Sequence, residues 1–571
     1  MKRHVACLSL GLLVAACANV GEESADQTAA LVEGSPRALA AIAMVNDPAT
    51  DAASLVSGKV TKATAAAIVA HRDGPDGAAR TADDDPFDTV AELDAVKGVG
   101  AATLKRLGDL ADADGYLDAE EKKERDVVFS PQPVEDSHTA EVAKLIAGAE
   151  RSIDIAMYSF SDASVQAALA DAVERGVKVR FLFDTANDDR KLTGTALTSS
   201  KSGKLESIGV DVRWVNKIMH HKFMLVDGPR DDLDAALDAT LVTGSANWSS
   251  GATTKYDENT LFLTAYPKLN LLFQREFDEM WSHSTDLVAN PAIVSEPSTT
   301  TITDADLPVF PGMEVFFTSD NFKVNGTTFS SVGTNHVADQ LIAAIGGAKK
   351  RIHIASGHLR LRGVAEALMK KRAEMPSLDI KVYLDGQEYV SESANATQKA
   401  DQEACLAAAK TESQKRTCLD KDYLYSLDVE KSGIELRYKY YAYRWDTSYA
   451  LQMHNKLMIV DDELWTGSFN LSDNAEHNTF ENMLHFRGPE FRGLVDAYEK
   501  KFGELWTQGD GKLAGLRQTI DEAATIPIVF DAMSLSWEEV RDLKALIAKE
   551  CPAVNSTAFR DDAPSHKTCT K

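Results

Sequence analysis

The sequence predicts an α/β protein made of two similar domains, each a mixed sheet flanked by helices, preceded by a small all-α domain. Three observations carry that expectation. The chain has 571 residues, more than one core organises, so two to four domains are expected. Its second part alternates short apolar runs with amphipathic stretches, the pattern of strands joined by covering helices. That alternation also occurs twice, in the same order and with nearly the same words.

The leader comes first. "MKRH" is a positive start, and "VACLSLGLLVAA" is an apolar stretch too short to span a bilayer as a mature helix. It ends in "LVAAC", so residues 1–17 read as a signal peptide whose small residues stop directly before Cys17. This ending resembles the lipobox of bacterial lipoproteins. The resemblance implies acylation of Cys17 and a membrane-anchored protein of the cell envelope; an ordinary cut nearby would give a secreted one. No later stretch approaches about eighteen consecutive apolar residues.

Residues 18–38 are small and polar and read as a tether. Residues 39–127 form the all-α domain, with "TKATAAAIVAHR" and "LDAVKGVGAATLKRL" carrying apolar residues at helical spacing. The second stretch resembles a helix-hairpin-helix module with Gly98 and Gly100 in its hairpin, a type that often presents backbone N–H groups to DNA phosphate. Its neighbours "TADDDPFD" and "DADGYLDAEE" are acidic, which favours a packing or adaptor role. The second acidic segment offers Asp112, Asp114, Asp118 and Glu121 at EF-hand-like offsets, but the first ligand position falls on Leu110. A solvated acidic loop is the expectation there, as in "RDGPDGAARTADDDP".

The repeat then begins. Residues 128–287 contain "AGAERSIDIAMYSF", "VQAALADAVERGVKVRFLFD" and "GVDVRWV"; residues 313–510 contain "GGAKKRIHIASGHL", "VAEALMKKRAEMPSLDIKVYLD" and "GIELRYKY". Each reads as strand, helix, strand ending in Asp (Asp184, Asp385), and a further strand. A linker rich in Pro, Ser and Thr spans 288–312. Residues 511–571 read as a helical C-terminal appendage. Of the six cysteines, Cys405 and Cys418 lie close in sequence, as do Cys551 and Cys569, so two local disulfides are the simplest pairing. No CxxC spacing accompanies them and a zinc site is not expected.

Both domains continue into one chemical line, "MHHKFMLVDG" and "MHNKLMIVDD". Residues two apart on a strand face the same way, so His220 projects with Lys222 and His454 with Lys456, while Asp227 and Asp461 end the strands. His221 does not fit the spacing. Then come "TGSANWS" with Ser245 and Asn247, and "TGSFNLS" with Ser468 and Asn470, followed by Glu258 in "DENTLF" and Glu481 in "FENMLH".

Two ammonium groups and two amides suit the oxygens of an anionic substrate, with serine hydroxyls as further donors. Imidazole serves as nucleophile when neutral and as acid when protonated.

The doubled HxKxxxxD followed by GSxN resembles the phospholipase D superfamily over about residues 130–510. The resemblance implies two domains packed so that both His–Lys pairs share one cleft. It implies His220 as the nucleophile and His454 as general acid and then base, an order the sequence alone leaves reversible. The catalytic set is then His220, Lys222, Asp227, Asn247, His454, Lys456, Asp461 and Asn470, with Asp227 and Asp461 the more structural members. Ser245, Glu258, Ser468 and Glu481 bind or orient. No cofactor or metal is required.

The substrate follows less directly. A net charge of −26 disfavours a nucleic-acid partner without excluding it. The anchor and the aromatic run "RYKYYAYRWDTSY" favour a phospholipid at a membrane surface. The expected activity is hydrolysis of a lipid such as phosphatidylcholine; an exported nuclease, a phosphatidyl transferase and an inactive binding protein are the other readings. Both motifs lie on one chain, so a monomer is expected. The insertion "GPRDDLDAALDAT" after Asp227 lengthens the first copy and bears on specificity.

Overall fold

The computed structural model describes residues 31–549 except 82, 122, 289, 291, 420, 422, 443–449 and 523–529. Two eight-stranded mixed sheets dominate it. In the first, the strands run Glu124–Ser130, Glu258–Thr264, Thr240–Gly244, Lys222–Val226, Ser152–Met157, Lys178–Phe183, Asp211–Trp214 and Thr285–Asp286 in spatial order. The second repeats that order with Met313–Phe317, Asn482–Phe486, Glu463–Gly467, Lys456–Val460, Arg351–Ser356, Asp379–Asp385, Glu435–Ala442 and Phe530–Ser536. In each, three neighbouring strands are parallel and the others antiparallel. The duplication in the sequence is therefore a duplication of topology.

The side-chain alternation of the histidine strands explains the layering. Phe223 and Leu225 of one sheet, and Leu457 and Ile459 of the other, enter one shared core. Met224 and Val226 face the helices of the first half, and Met458 and Val460 those of the second. The two sheets thus stack through a common apolar layer, with helices outside. Two long helices, Pro267–Ser282 and Arg492–Trp506, also feed that layer through Phe273, Phe277, Tyr498 and Phe502.

Several boundaries move. The first helix starts at Pro36, inside the stretch read as a tether, because Ser35 caps it and proline is preorganised for a first helical position. The first sheet begins at Glu124, where residues 124–130 pair with Glu258–Thr264. The tail read as wholly helical supplies the edge strand Phe530–Ser536 before its helix Trp537–Lys549, pairing with Glu435–Ala442.

The small all-α domain has its own core around Met44, Leu55, Ile68, Leu93 and Leu107. Helices Val90–Ala95 and Ala101–Ala113 flank the turn expected to hold Gly98, whose φ of 93° a side chain would strain. No twelve-residue calcium loop forms at 110–121: only Asp114 and Gly115 separate two helices. In the other acidic loop, Asp83 and Asp84 accept hydrogen bonds from backbone N–H groups of the loop itself.

Cys405 and Cys418 are bonded, tying helix Glu392–Ala408 to its successor. Cys17, Cys551 and Cys569 lie outside the described residues. Among the described residues no helix is long and apolar enough to cross a membrane.

Candidate active site

The two histidine lines meet at the ends of the parallel strands. Met157 pairs with Lys222, and Ser356 with Lys456, so both lysines emerge at the same end of their sheets. The halves are stitched there by short cross-domain pairings: Ile218–Met219 runs parallel to Thr479–Phe480, and Asp257 bridges Met453. Each histidine is thereby delivered to the other half's acid.

The carboxylates are exchanged. His454 Nδ1 lies 2.7 Å from Glu258 Oε1 and donates to it, while His220 Nδ1 lies 2.7 Å from Glu481 Oε1 with its N–H off the line to that oxygen. Both glutamates are fully buried. Ser245 Oγ donates to Glu258 Oε2 at 2.7 Å, and the backbone N–H of Asn482 donates to Ser468 Oγ at 3.0 Å. Lys222 Nζ and Lys456 Nζ each donate to the carbonyl of their own histidine at 2.6 Å. Lys456 Nζ is also 3.2 Å from His454 Nε2. The side-chain oxygens of Asn247 and Asn470 meet no protein donor among the described residues, so the fold does not consume them.

The GS turns require their glycines. A Cβ at Gly244 would strike the carbonyl of Asn259, and one at Gly467 that of Asn482. These contacts bring each serine beside the following Glu-Asn pair.

Burial dominates the electrostatics. It drives His220 well below the ordinary imidazole range, and the neighbouring lysines push the same way. Burial takes His454 down to about 4 although Glu258 opposes it. Burial lowers Lys222 to about 7 and Lys456 to about 8, and raises Glu481 to about 7. An anion entering between the lysines reverses the cost that lowered them, so the cleft is poised for negative charge.

The structure does not bring Asp227 and Asp461 into the cleft, which removes both from the catalytic set. They sit at the opposite ends of their strands with φ of 52° and 54°. Asp227 accepts from the backbone N–H groups of Glu150, Arg151 and Ser152; Asp461 does the same for Lys349, Lys350 and Arg351. They close turns. The insertion after Asp227 lies at that far end too, where Ala236 packs with Leu271 and Ile302, so it does not border the cleft.

Other residues surround the site without having been singled out. Asp184 and Asp385, seen only as strand ends, accept from the backbone N–H groups of Met219 and Met453 at 3.0 and 2.8 Å and so fix each histidine's approach. Burial raises both to about 6. His221 donates towards Glu276 and meets Asn482 at 3.0 Å across the halves; Asn455, its counterpart, meets Asn259. A fully buried Lys439–Asp257 pair at 2.6 Å also crosses the interface. Tyr158 stacks obliquely on His220 with ring centres 4.7 Å apart. Of the aromatic run, Tyr438 and Tyr441 are buried in the fold, and residues 443–449 lie outside the described part.

Clusters able to hold a cation among the described residues are His71, Asp85 and Glu92, and Glu206, Asp211 and Asp286, both away from the cleft.

The family model described as "Cardiolipin synthase, PLD-like domain" matches residues 142–281 and 341–506, the two halves that build this cleft. The chain belongs to the phospholipase D-like family. Among proteins similar to this phospholipase D-like chain are mitochondrial cardiolipin hydrolases. That of Xenopus tropicalis is 34% identical over 153 residues, 26% of this chain and 64% of its own. The Homo sapiens protein is 30% identical over 151 residues, 26% and 53% respectively. The match thus spans less than two-thirds of these relatives. Among solved structures, a phospholipase D family member, Nuc from Salmonella typhimurium, is 30% identical over 29% of this chain and 97% of its own, with a TM-score of 0.24. Phosphatidylserine synthase of Haemophilus influenzae Rd KW20 is 12% identical over 78% and 95%, with a TM-score of 0.42.

Proposed function

We propose that this protein is a phospholipase D-type hydrolase that cuts a phospholipid such as phosphatidylcholine to phosphatidate and free headgroup. The observation that carries the chemistry is the exchanged pairing of His220 with Glu481 and His454 with Glu258 around two buried lysines. Neutral His220 attacks phosphorus through Nε2. The P–O bond to the headgroup breaks, and His454, lifted from its resting value near 4 by the phosphate anion bound beside it and by Glu258, gives an Nε2 proton to the departing oxygen. Water then attacks the phosphohistidine as His454 takes its proton, which releases phosphatidate and frees His220. His454 suits the acid role because Glu258 stands in line with its Nδ1–H and stabilises the imidazolium. The ammonium groups of Lys222 and Lys456 and the Nδ2 amide groups of Asn247 and Asn470 donate to the nonbridging oxygens. No step requires a metal.

Lipid is favoured over nucleic acid by the charge of −26 and by a leader expected to anchor the protein at a membrane through Cys17. Relatives named as cardiolipin hydrolases point the same way. A nuclease is the second reading, resting on the Gly98 hairpin. Against it, Leu39 of the all-α domain shares a cavity with Thr264 and Tyr266, beyond the end of the Glu258–Thr264 strand remote from the cleft. That strand is roughly 20 Å long. Transfer of the phosphatidyl group to an alcohol competes with hydrolysis wherever the acceptor displaces water.

The test incubates the purified protein and its His220→Ala variant with EDTA, with phosphatidylcholine vesicles in one tube and plasmid DNA in another. Choline and phosphatidate from the wild type alone are expected. Nicked DNA with intact lipid would overturn the lipid reading.

A further inference from the structure

The duplicated halves differ at one place on the cleft rim. After its central strand the first half continues Tyr158, Ser159, Phe160, Ser161; at the same positions the second has Gly357, His358, Leu359, Arg360. The two loops run the same course. Tyr158 N–H donates to the carbonyl of His221, and Gly357 N–H to that of Asn455. Ser161 N–H donates to Trp248, and Arg360 and Leu361 N–H to Leu471. His358 therefore stands where Ser159 stands, beside the Asn470 turn and two residues past the end of the strand paired with Lys456.

A buried acid holds it there. Glu388 is fully buried, and its Oε1 meets His358 Nδ1 at 3.1 Å and accepts from Arg360 Nη2 at 2.7 Å. Its Oε2 accepts the backbone N–H of Leu359 at 3.1 Å. Burial pushes this carboxyl up, but the bonds from His358 and Arg360 outweigh burial and hold it below the usual range. The His358 side chain keeps about a third of its surface exposed. Its charge is near enough to be felt at His220 across the cleft. The imidazole and the Arg360 guanidinium thus share one carboxylate where the first half carries only serine hydroxyls.

We propose that His358, oriented by Glu388 and accompanied by Arg360, is a headgroup-selecting residue that receives a second anionic group carried by the leaving alcohol. This rests on the phospholipid reading above and deepens it. The substrate class is a phosphodiester whose headgroup bears a further phosphate close to the scissile one. A Glu-held imidazole offers Nε2–H to such a phosphate as a charge-assisted donor, while Lys222 and Lys456 keep the reacting phosphate. His358 binds the headgroup's second anion and takes no proton from the reaction.

The experiment compares wild type, His358→Gln and His358→Lys on two kinds of vesicle: phosphatidylcholine alone, and phosphatidylcholine mixed with phosphatidylglycerophosphate. The same comparison is made with soluble methyl phosphodiesters of choline and of glycerol phosphate, in which that alcohol is the leaving group and its release is quantified. The wild type should prefer the phosphate-bearing substrate in kcat/KM. His358→Gln should reduce that preference about tenfold through KM with kcat retained, the order of one charge-assisted hydrogen bond. His358→Lys should restore part of it. Equal losses on both substrates, or a loss in kcat alone, would overturn the proposal, as would a wild type without preference. A wild type that ignores both lipids but discriminates the soluble pair in the expected sense would refute the lipid reading and leave the role of His358 standing. Melting temperatures of the variants separate lost selectivity from lost fold.

Discussion

The two halves of the cleft carry the same words and make different use of them. On the first side, His220 lies under Tyr158 with Glu481 near its Nδ1 but out of line. On the second, His454 is aligned on Glu258, and its side chain is 22% exposed against 10% for His220. An aligned carboxylate stabilises imidazolium; a shielded, misaligned imidazole stays neutral. The lesson is that a duplicated motif fixes which groups meet, while unduplicated neighbours decide which group does what.

The sharpest way to break that comparison is covalent trapping. His220→Ala and His454→Ala should each lower kcat by about 10⁴-fold. Only the His454→Ala protein, quenched during turnover, should carry a phosphatidyl adduct, located at His220 by mass spectrometry. An adduct on His454 in the His220→Ala protein would reverse the roles assigned to the halves.

The acids give the next effect. Glu258→Gln should cost about 10² to 10³-fold in kcat, and Glu481→Gln distinctly less, because only Glu258 already lies in line with its histidine. Equal losses would mean that substrate binding straightens the His220–Glu481 pair and removes the asymmetry.

A third effect separates the lysines. Lysine grips phosphate only when charged, and the charged form is lost as pH rises through its pKa. With Lys222 at about 7 and Lys456 at about 8, kcat/KM should fall on the alkaline side, beginning near pH 7. Lys222→Arg should move that limb to higher pH, since guanidinium stays charged. A limb unmoved by the change would assign it to another group.

How much of this the residues alone disclosed depends on whether the deciding relation is local or crosses the halves. His220 with Lys222, and Ser245 with Asn247, follow from strand alternation and a tight turn, and the repeated strand–helix order gave the architecture. The exchange of Glu258 and Glu481 between the halves is invisible in sequence, since each glutamate stands nearer in the chain to the histidine it does not serve. Tyr158 and His358 were hidden because they occupy the same strand-end loop in the two copies without resembling each other. The tail strand was missed because "FDAMSLS" is half polar, and what makes it a strand is the open edge of Glu435–Ala442.

The smallest effect concerns the residues that the motif's spelling most overstates. Asp227 and Asp461 share the motif with the histidines, yet each holds three successive N–H groups at the far end of its sheet and adopts the left-handed conformation that aspartate tolerates. Asp227→Asn keeps that conformation but replaces one acceptor oxygen with an NH₂ group that faces donors. It should destabilise the fold by about 1–3 kcal/mol, read as a lowered denaturant midpoint, while kcat/KM changes by less than about twofold. Asp461→Asn should behave alike, and the double variant should add, because the two turns belong to separate sheets. A large loss of kcat/KM at unchanged stability would return these aspartates to the chemistry. The expected pattern makes the motif two devices in one line: a catalytic pair at one end of a strand and a turn lock at the other, joined by the apolar residues that bury the strand between them.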